Sequence, residues 1–111
     1  MSNRKLDSVR PKKVFIEYED KKYPLVINMN VFADMQEEYG TIEAALEALT
    51  QGKILGIRKL LWIVLRQNDD VKDITEREAG AMVDMYNIKE IVDALTGQIA
   101  AAMPTEQQVK N

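Results

Sequence analysis

The sequence predicts an α+β fold: an N-terminal β-hairpin followed by four to five helices, mostly helical overall. Three observations predict it. Two short apolar runs alternate about a polar turn in "KVFIEYEDKKYPLVIN". From residue 30 to residue 103, apolar positions recur at helical spacing, punctuated by the Gly, Thr and Asn residues that stop and start helices. Finally, 111 residues at 46% hydrophobic and 30% charged can bury one core but are too few for a second domain. That domain is expected over residues 13–103, between a flexible basic arm at 1–12 and a flexible polar tail at 104–111.

In the hairpin, Val14, Ile16 and Tyr18 fall on one face of the first strand, and Tyr23, Leu25 and Ile27 on one face of the second. Pairing across "EDKK" sets Tyr18 opposite Tyr23, Ile16 opposite Leu25 and Val14 opposite Ile27, with Glu19 facing Lys22. Pro24 cannot donate to a ladder, which places its strand at an edge. Asn30 then serves as the expected N-cap of a short helix carrying Phe32, Met35 and Tyr39 on one face, and Gly40 stops it. Thr41 caps the next helix, where Ile42, Ala45, Leu46 and Leu49 share a face until "TQG".

Residues 53–67 form a third helix, whose apolar positions 54, 55, 57 and 60–65 cover nearly the whole circumference. Such a helix is buried on most sides. "NDDVKD" reads as a loop. Thr75 and Glu78 form a capping box opening a helix with Ala79, Met82, Val83 and Tyr86 on one face. Asn87 and Glu90 repeat the box before Ile88, Ile91, Val92, Leu95, Ile99 and Met103, and Pro104 closes the pattern. A two-stranded hairpin is marginal alone, so its apolar face must lie on helices or join strands of another subunit.

The chain has neither cysteine nor histidine, which removes the commonest general base, the commonest transition-metal ligand and the thiolate nucleophile together. No constellation supports an enzyme, and no cofactor or tightly bound transition metal is expected. Asp69, Asp70 and Asp73 lack the spacing of a calcium loop and precede a helix start, where negative charge is favoured. Gly40, Gly52, Gly56, Gly80 and Gly97 form no phosphate-binding run. Glu37 and Glu38 diverge by about 100° around a helix, so they do not aim at one substrate.

The longest apolar run, Leu60–Leu65, falls far short of the roughly 20 residues of a membrane crossing. The polar start lacks the apolar region of a secretory signal, so a cytoplasmic location is expected. Residues 1–13 hold Arg4, Lys5, Arg10, Lys12 and Lys13 against Asp7, whereas the rest of the chain is acidic. A helix-turn-helix over residues 74–95 would present Lys89, Glu90 and Asp93 to phosphates, a net negative surface. Nucleic acid is therefore an unfavoured partner. Trp62 is expected to be mostly buried, with Met82, Met85 and Met103 either filling core gaps or lining an adaptable protein-binding surface.

The succession "YPLVINMNVFADMQEEYGTIEAALEAL", "LLWIVLRQNDD" and "ITEREAGAMVD" resembles the small tail assembly chaperones of long-tailed bacteriophages, including the related tail protein of gene transfer agents. The resemblance rests on Phe32, Ala33, Met35, Glu37, Glu38 and Gly40, then Ile42, Ala45, Leu46 and Leu49, then Leu60, Leu61, Trp62 and Leu65, then Ile74, Thr75 and Glu78. It covers about residues 14–95, and departs from the pattern at Ile63 and Val64, where small residues are common in the family.

The resemblance implies a protein of the bacterial host cytoplasm, absent from the mature virion. Its partners would be the tape-measure protein and tail-tube subunits during tail assembly. The competing readings are a minor structural tail component, such as a tube or completion protein, and then a small DNA-binding regulator. Leu61, Trp62, Leu65, Ile99 and Met103 are the candidate partner-binding residues. Homo-oligomerisation is expected if the hairpin edge and excess apolar surface stay uncovered within one chain.

Overall fold

A computed structural model describes residues 14–103, so the expected arm and tail lie outside the described residues. Strand β1 (Phe15–Tyr18) pairs antiparallel with β2 (Lys21–Pro24), and five α-helices follow among the described residues. They are α1 (Met29–Tyr39), α2 (Ile42–Thr50), α3 (Ile54–Leu65), α4 (Glu76–Ala81) and α5 (Ile88–Ala102), with a single 3-10 turn at Asp69–Val71 between α3 and α4. The predicted α+β class is the observed one.

The hairpin register differs from the expected pairing. Ile16 lies opposite Tyr23, Glu17 opposite Lys22 and Tyr18 opposite Lys21, so the connection is a two-residue turn, Glu19–Asp20, rather than the four-residue "EDKK". Both turn residues have positive φ, 50° and 67°, the conformation that matches the twist of a tight hairpin. The slip is an even number of residues, and so the same side chains still face the core. Ile16 and Leu25 are buried there. The hairpin's apolar face therefore lies on helices of its own chain, which decides one of the two alternatives left by the sequence.

Local chemistry sets the helix ends. The N-cap of α1 is Asn28 rather than Asn30: its side chain accepts the Val31 N–H at 3.2 Å. Gly40 ends the helix with φ 89°, a left-handed geometry natural to glycine. Thr41 caps α2 through the Ala44 N–H at 3.0 Å. The Thr75–Glu78 capping box forms reciprocally, at 2.9 and 3.1 Å. The second expected box does not form, because Asn87 makes no cap to α5. Instead Asp84 Oδ1 accepts from the Asn87 N–H at 3.0 Å while Asn87 Oδ1 accepts from the Asp84 N–H at 2.8 Å, which moves the box three residues upstream. As a result Tyr86 leaves the expected apolar face and stands in solvent.

Helix α3 is the central element. It touches α1, α2 and α4 and buries Ile57, Leu60, Leu61, Ile63, Val64 and Leu65. Ile63 and Val64, the positions that depart from the family pattern, have no exposure. Helix α5 contributes Ile91, Leu95 and Ile99 at successive turns and packs against α2. Asn68, just past α3, donates to the Pro24 carbonyl at 2.8 Å and the Leu65 carbonyl at 3.0 Å, tying the hairpin to the central helix.

Candidate functional site

The first turn of α3 carries apolar side chains but lies beyond the core. Ile54 is 63% exposed and Leu55 73%. Lys53 precedes them without capping the helix through its side chain. Facing this turn is the α4–α5 corner, where Met85 is 86% exposed and Tyr86 95%. Asp84 Oδ1 accepts from the N–H groups of Tyr86 and Asn87 at 2.8 and 3.0 Å, and Asn87 Nδ2 donates to the Met82 carbonyl at 3.1 Å. Both apolar side chains of the corner are thus held outward by a hydrogen-bonded turn.

Between the two elements runs a groove of about 380 Å³. Ile57 and Leu61 form its floor, Val83 and Ile88 its far wall, and Ile54 and Met85 its rims, with Arg58 and Asp84 as polar flanks. Gly80 lets Arg58 lie flat on α4, since a Cβ there would meet the Arg58 Cδ at 2.8 Å. A second concavity, about 550 Å³, borders the other side of the same turn and is lined by Tyr39, Ala44, Ala48, Leu55 and Gly56. Ile54 lines both. The start of α3 is therefore an apolar ridge between two hollows, a shape suited to protein contact rather than to bond chemistry.

A polar knot supports the ridge from beneath. Lys59 Nζ reaches Glu38 on α1 at 3.3 Å and Glu76 on α4 at 3.1 Å. The Tyr39 hydroxyl donates to the Gly56 carbonyl. Burial, with the charges of Glu76 and Glu38 beside it, holds the Tyr39 phenol well above its ordinary value of 10.0. The hydrogen bond to Glu76 raises the Lys59 ammonium above 10.5. Both groups therefore favour the fold in their protonated forms: the contribution is complete below those ordinary values and is lost as pH rises through the raised ones. Melting temperature is expected to fall progressively above about pH 10, and Tyr39→Phe to flatten part of that fall. An unchanged alkaline slope in the variant would assign the loss to other groups.

The structure disperses the residues singled out from the sequence. Leu61, Leu65 and Ile99 have no exposure at all, so they are core rather than partner-binding residues. Leu61 touches the groove only as its floor. Met103 is partly buried against the core as the C-cap of α5. Trp62 is packed against the core with only a minor part of its surface exposed, in line with the expected burial, and it is not an open partner contact. Its indole N–H donates to the Ile74 carbonyl at 2.8 Å, and the Arg66 guanidinium covers its ring at 3.9 Å. Arg66 in turn pairs with Asp34 at 2.7 Å. Trp62 is a strut between α3 and the segment before α4.

Of Ile54, Leu55, Met85 and Tyr86, the sequence reading singled out only Met85 for a protein-binding surface, as the alternative to filling a core gap. A signal for the last two existed: a large apolar pair enclosed by two capping residues, Asp84 and Asn87. For Ile54 and Leu55 there was none, because a helix apolar on nearly every side does not say which side stays open.

Asp69, Asp70 and Asp73 line a different hollow, about 550 Å³, at the turn end of the hairpin beside Tyr18, Glu19, Tyr23 and Glu78. Among the described residues no group of three or more acidic side chains is arranged to hold a metal ion, and no helix is long and apolar enough to cross a membrane. On α5, Lys89 is paired with Asp93 at 3.3 Å, which leaves the would-be recognition face without a free cation. Comparisons with known protein families, with curated proteins and with solved structures found no match.

Proposed function

We propose that this protein is a tail assembly chaperone that holds an apolar, helix-forming segment of a client, the tape-measure protein, in the groove between the start of α3 and the α4–α5 corner. The single observation behind this reading is the pair of large apolar side chains, Ile54 and Met85, standing 63% and 86% exposed on the two rims of a preformed hollow. An amphipathic helix laid in such a groove buries its apolar face by the same spacing that built it, and Met85 adapts to differing side chains. Binding rather than catalysis is the activity proposed. The sequence resemblance to the phage chaperones supplies the identity of the client.

Two specific features support this reading over its competitors. Two strands of four residues give little material for a tube ring, which weighs against a structural tail part. The Lys89–Asp93 pair weighs against a DNA reader. The test is co-purification with a co-expressed tape-measure fragment, using the double variant Ile54→Asp and Met85→Asp, which changes both rims of the groove. Binding is expected to weaken at least tenfold, while the melting temperature stays within about 3 °C because both positions are exposed. Undiminished capture by a stably folded double variant would sink the groove as the client site.

A further inference from the structure

The two edges of the hairpin are not equivalent. The Leu25 N–H donates to the Val14 carbonyl at 2.8 Å, so in this register Val14–Leu25, Ile16–Tyr23 and Tyr18–Lys21 are the hydrogen-bonded pairs. The N–H and C=O groups of Phe15 and Glu17 consequently point away from β2. On the opposite edge Pro24 has no N–H, its carbonyl is taken by Asn68 at 2.8 Å, and an exposed lysine, Lys22, guards the middle. Among the described residues, one edge is closed by the means proteins use against strand addition, and the other is open. Phe15, on the open strand, is 49% exposed.

We infer that β1 pairs antiparallel with β1 of a second copy, and that each basic arm then enters the acidic hollow of the other copy. In the register centred on Ile16, Phe15 of each copy exchanges hydrogen bonds with Glu17 of the other, so all the outward groups of these two residues are satisfied within β1 itself. Carried one residue upstream of Phe15, the same register sets Val14 beside Tyr18 of the second copy. Val14, the residue next to the arm in the chain, therefore stands in this dimer at the other copy's turn, where Tyr18 and Glu19 line the hollow. That hollow carries Glu19, Asp69, Asp70, Asp73 and Glu78 against Lys72. Residues 1–13 carry five basic residues against Asp7. Edge geometry and charge thus select the same occupant, and it is chemically distinct from the apolar client groove.

Analytical ultracentrifugation of the full chain tests this. A dimer is expected at tens of micromolar protein, weakening as salt rises because exposed charges are screened. Glu17→Pro removes an outward N–H that β2 does not use, so it is expected to raise the dimer dissociation constant at least tenfold with little change in melting temperature. Lys12→Glu with Lys13→Glu, which changes no residue of the two strands, is expected to weaken the dimer similarly. A monomer at all accessible concentrations, including one with its arm folded on its own hollow, overturns the inference. So does a dimer that neither variant affects.

Discussion

Ile99→Asp is expected to abolish folding, giving a far-UV circular dichroism spectrum without the helical signature and no cooperative melt. Ile99 has no exposure and sits one turn beyond Leu95 and two beyond Ile91, on the stripe by which α5 meets the core. Removing its side chain alone, as in Ile99→Ala, should cost about 2–5 kcal/mol in lost packing and residual cavity. A carboxylate in the same place adds several kcal/mol, since no buried polar or charged residue is found among the described ones to receive it. The two together approach or exceed the roughly 5–15 kcal/mol that holds a domain of this size. A cooperative melt within a few degrees of the parent would mean that the end of α5 is not core. Read from the sequence, this residue was a candidate partner contact, so the experiment separates the two roles directly.

The crossing of α2 and α3 should show the second large effect. A Cβ built at Gly56 would lie 2.5 Å from the Cβ of Ala48, so the two helices approach as closely as they do because one position lacks a side chain. Gly56→Ala gains about 1 kcal/mol in helix propensity, but the helices must separate, at a cost of about 1–3 kcal/mol or more. They would also pull the Gly56 carbonyl from the Tyr39 hydroxyl that donates to it. A net fall in melting temperature on the order of 5–10 °C is expected. Exchanging the two residues, Gly56→Ala with Ala48→Gly, returns the space and should melt above Gly56→Ala alone, although Ala48→Gly by itself costs helix propensity. A double variant less stable than either single change would show that the contact is not what limits the approach.

How much of the fold was legible follows from how local each signal is. Thr41, Gly40 and the Thr75–Glu78 box act within four residues, and all three appear in the structure as read. The hairpin faces were legible because alternation alone sets them. Its register was not, because Glu19–Asp20 lacks the Asn-Gly or Asp-Gly pair that marks a two-residue turn, and an even slip leaves the apolar faces unchanged. Asn28 and Asn30 offer the same capping chemistry two residues apart, and only the geometry of the chain leaving β2 chooses between them. The site was the least legible part. Ile54 and Leu55 have the same composition signature as Leu60 and Leu61, and what separates them is that α1, α2 and α4 cover the sides of α3 that carry Leu60 and Leu61 but not those that carry Ile54 and Leu55.

The chain holds a single tryptophan, and its placement gives the molecule an optical address. The indole of Trp62 is neither sealed in the core nor on the client groove. It lies under the Arg66 guanidinium and is bonded to the Ile74 carbonyl, and Ile74 itself lines the acidic hollow. Intrinsic fluorescence from this protein therefore reports on the hollow by way of the segment before α4. An arm settling there should move the emission, whereas a client helix in the groove beside Ile54 and Met85 should leave it nearly still. Wavelength and amplitude thus become a means of telling which of the two surfaces is occupied, in the native chain and without a label.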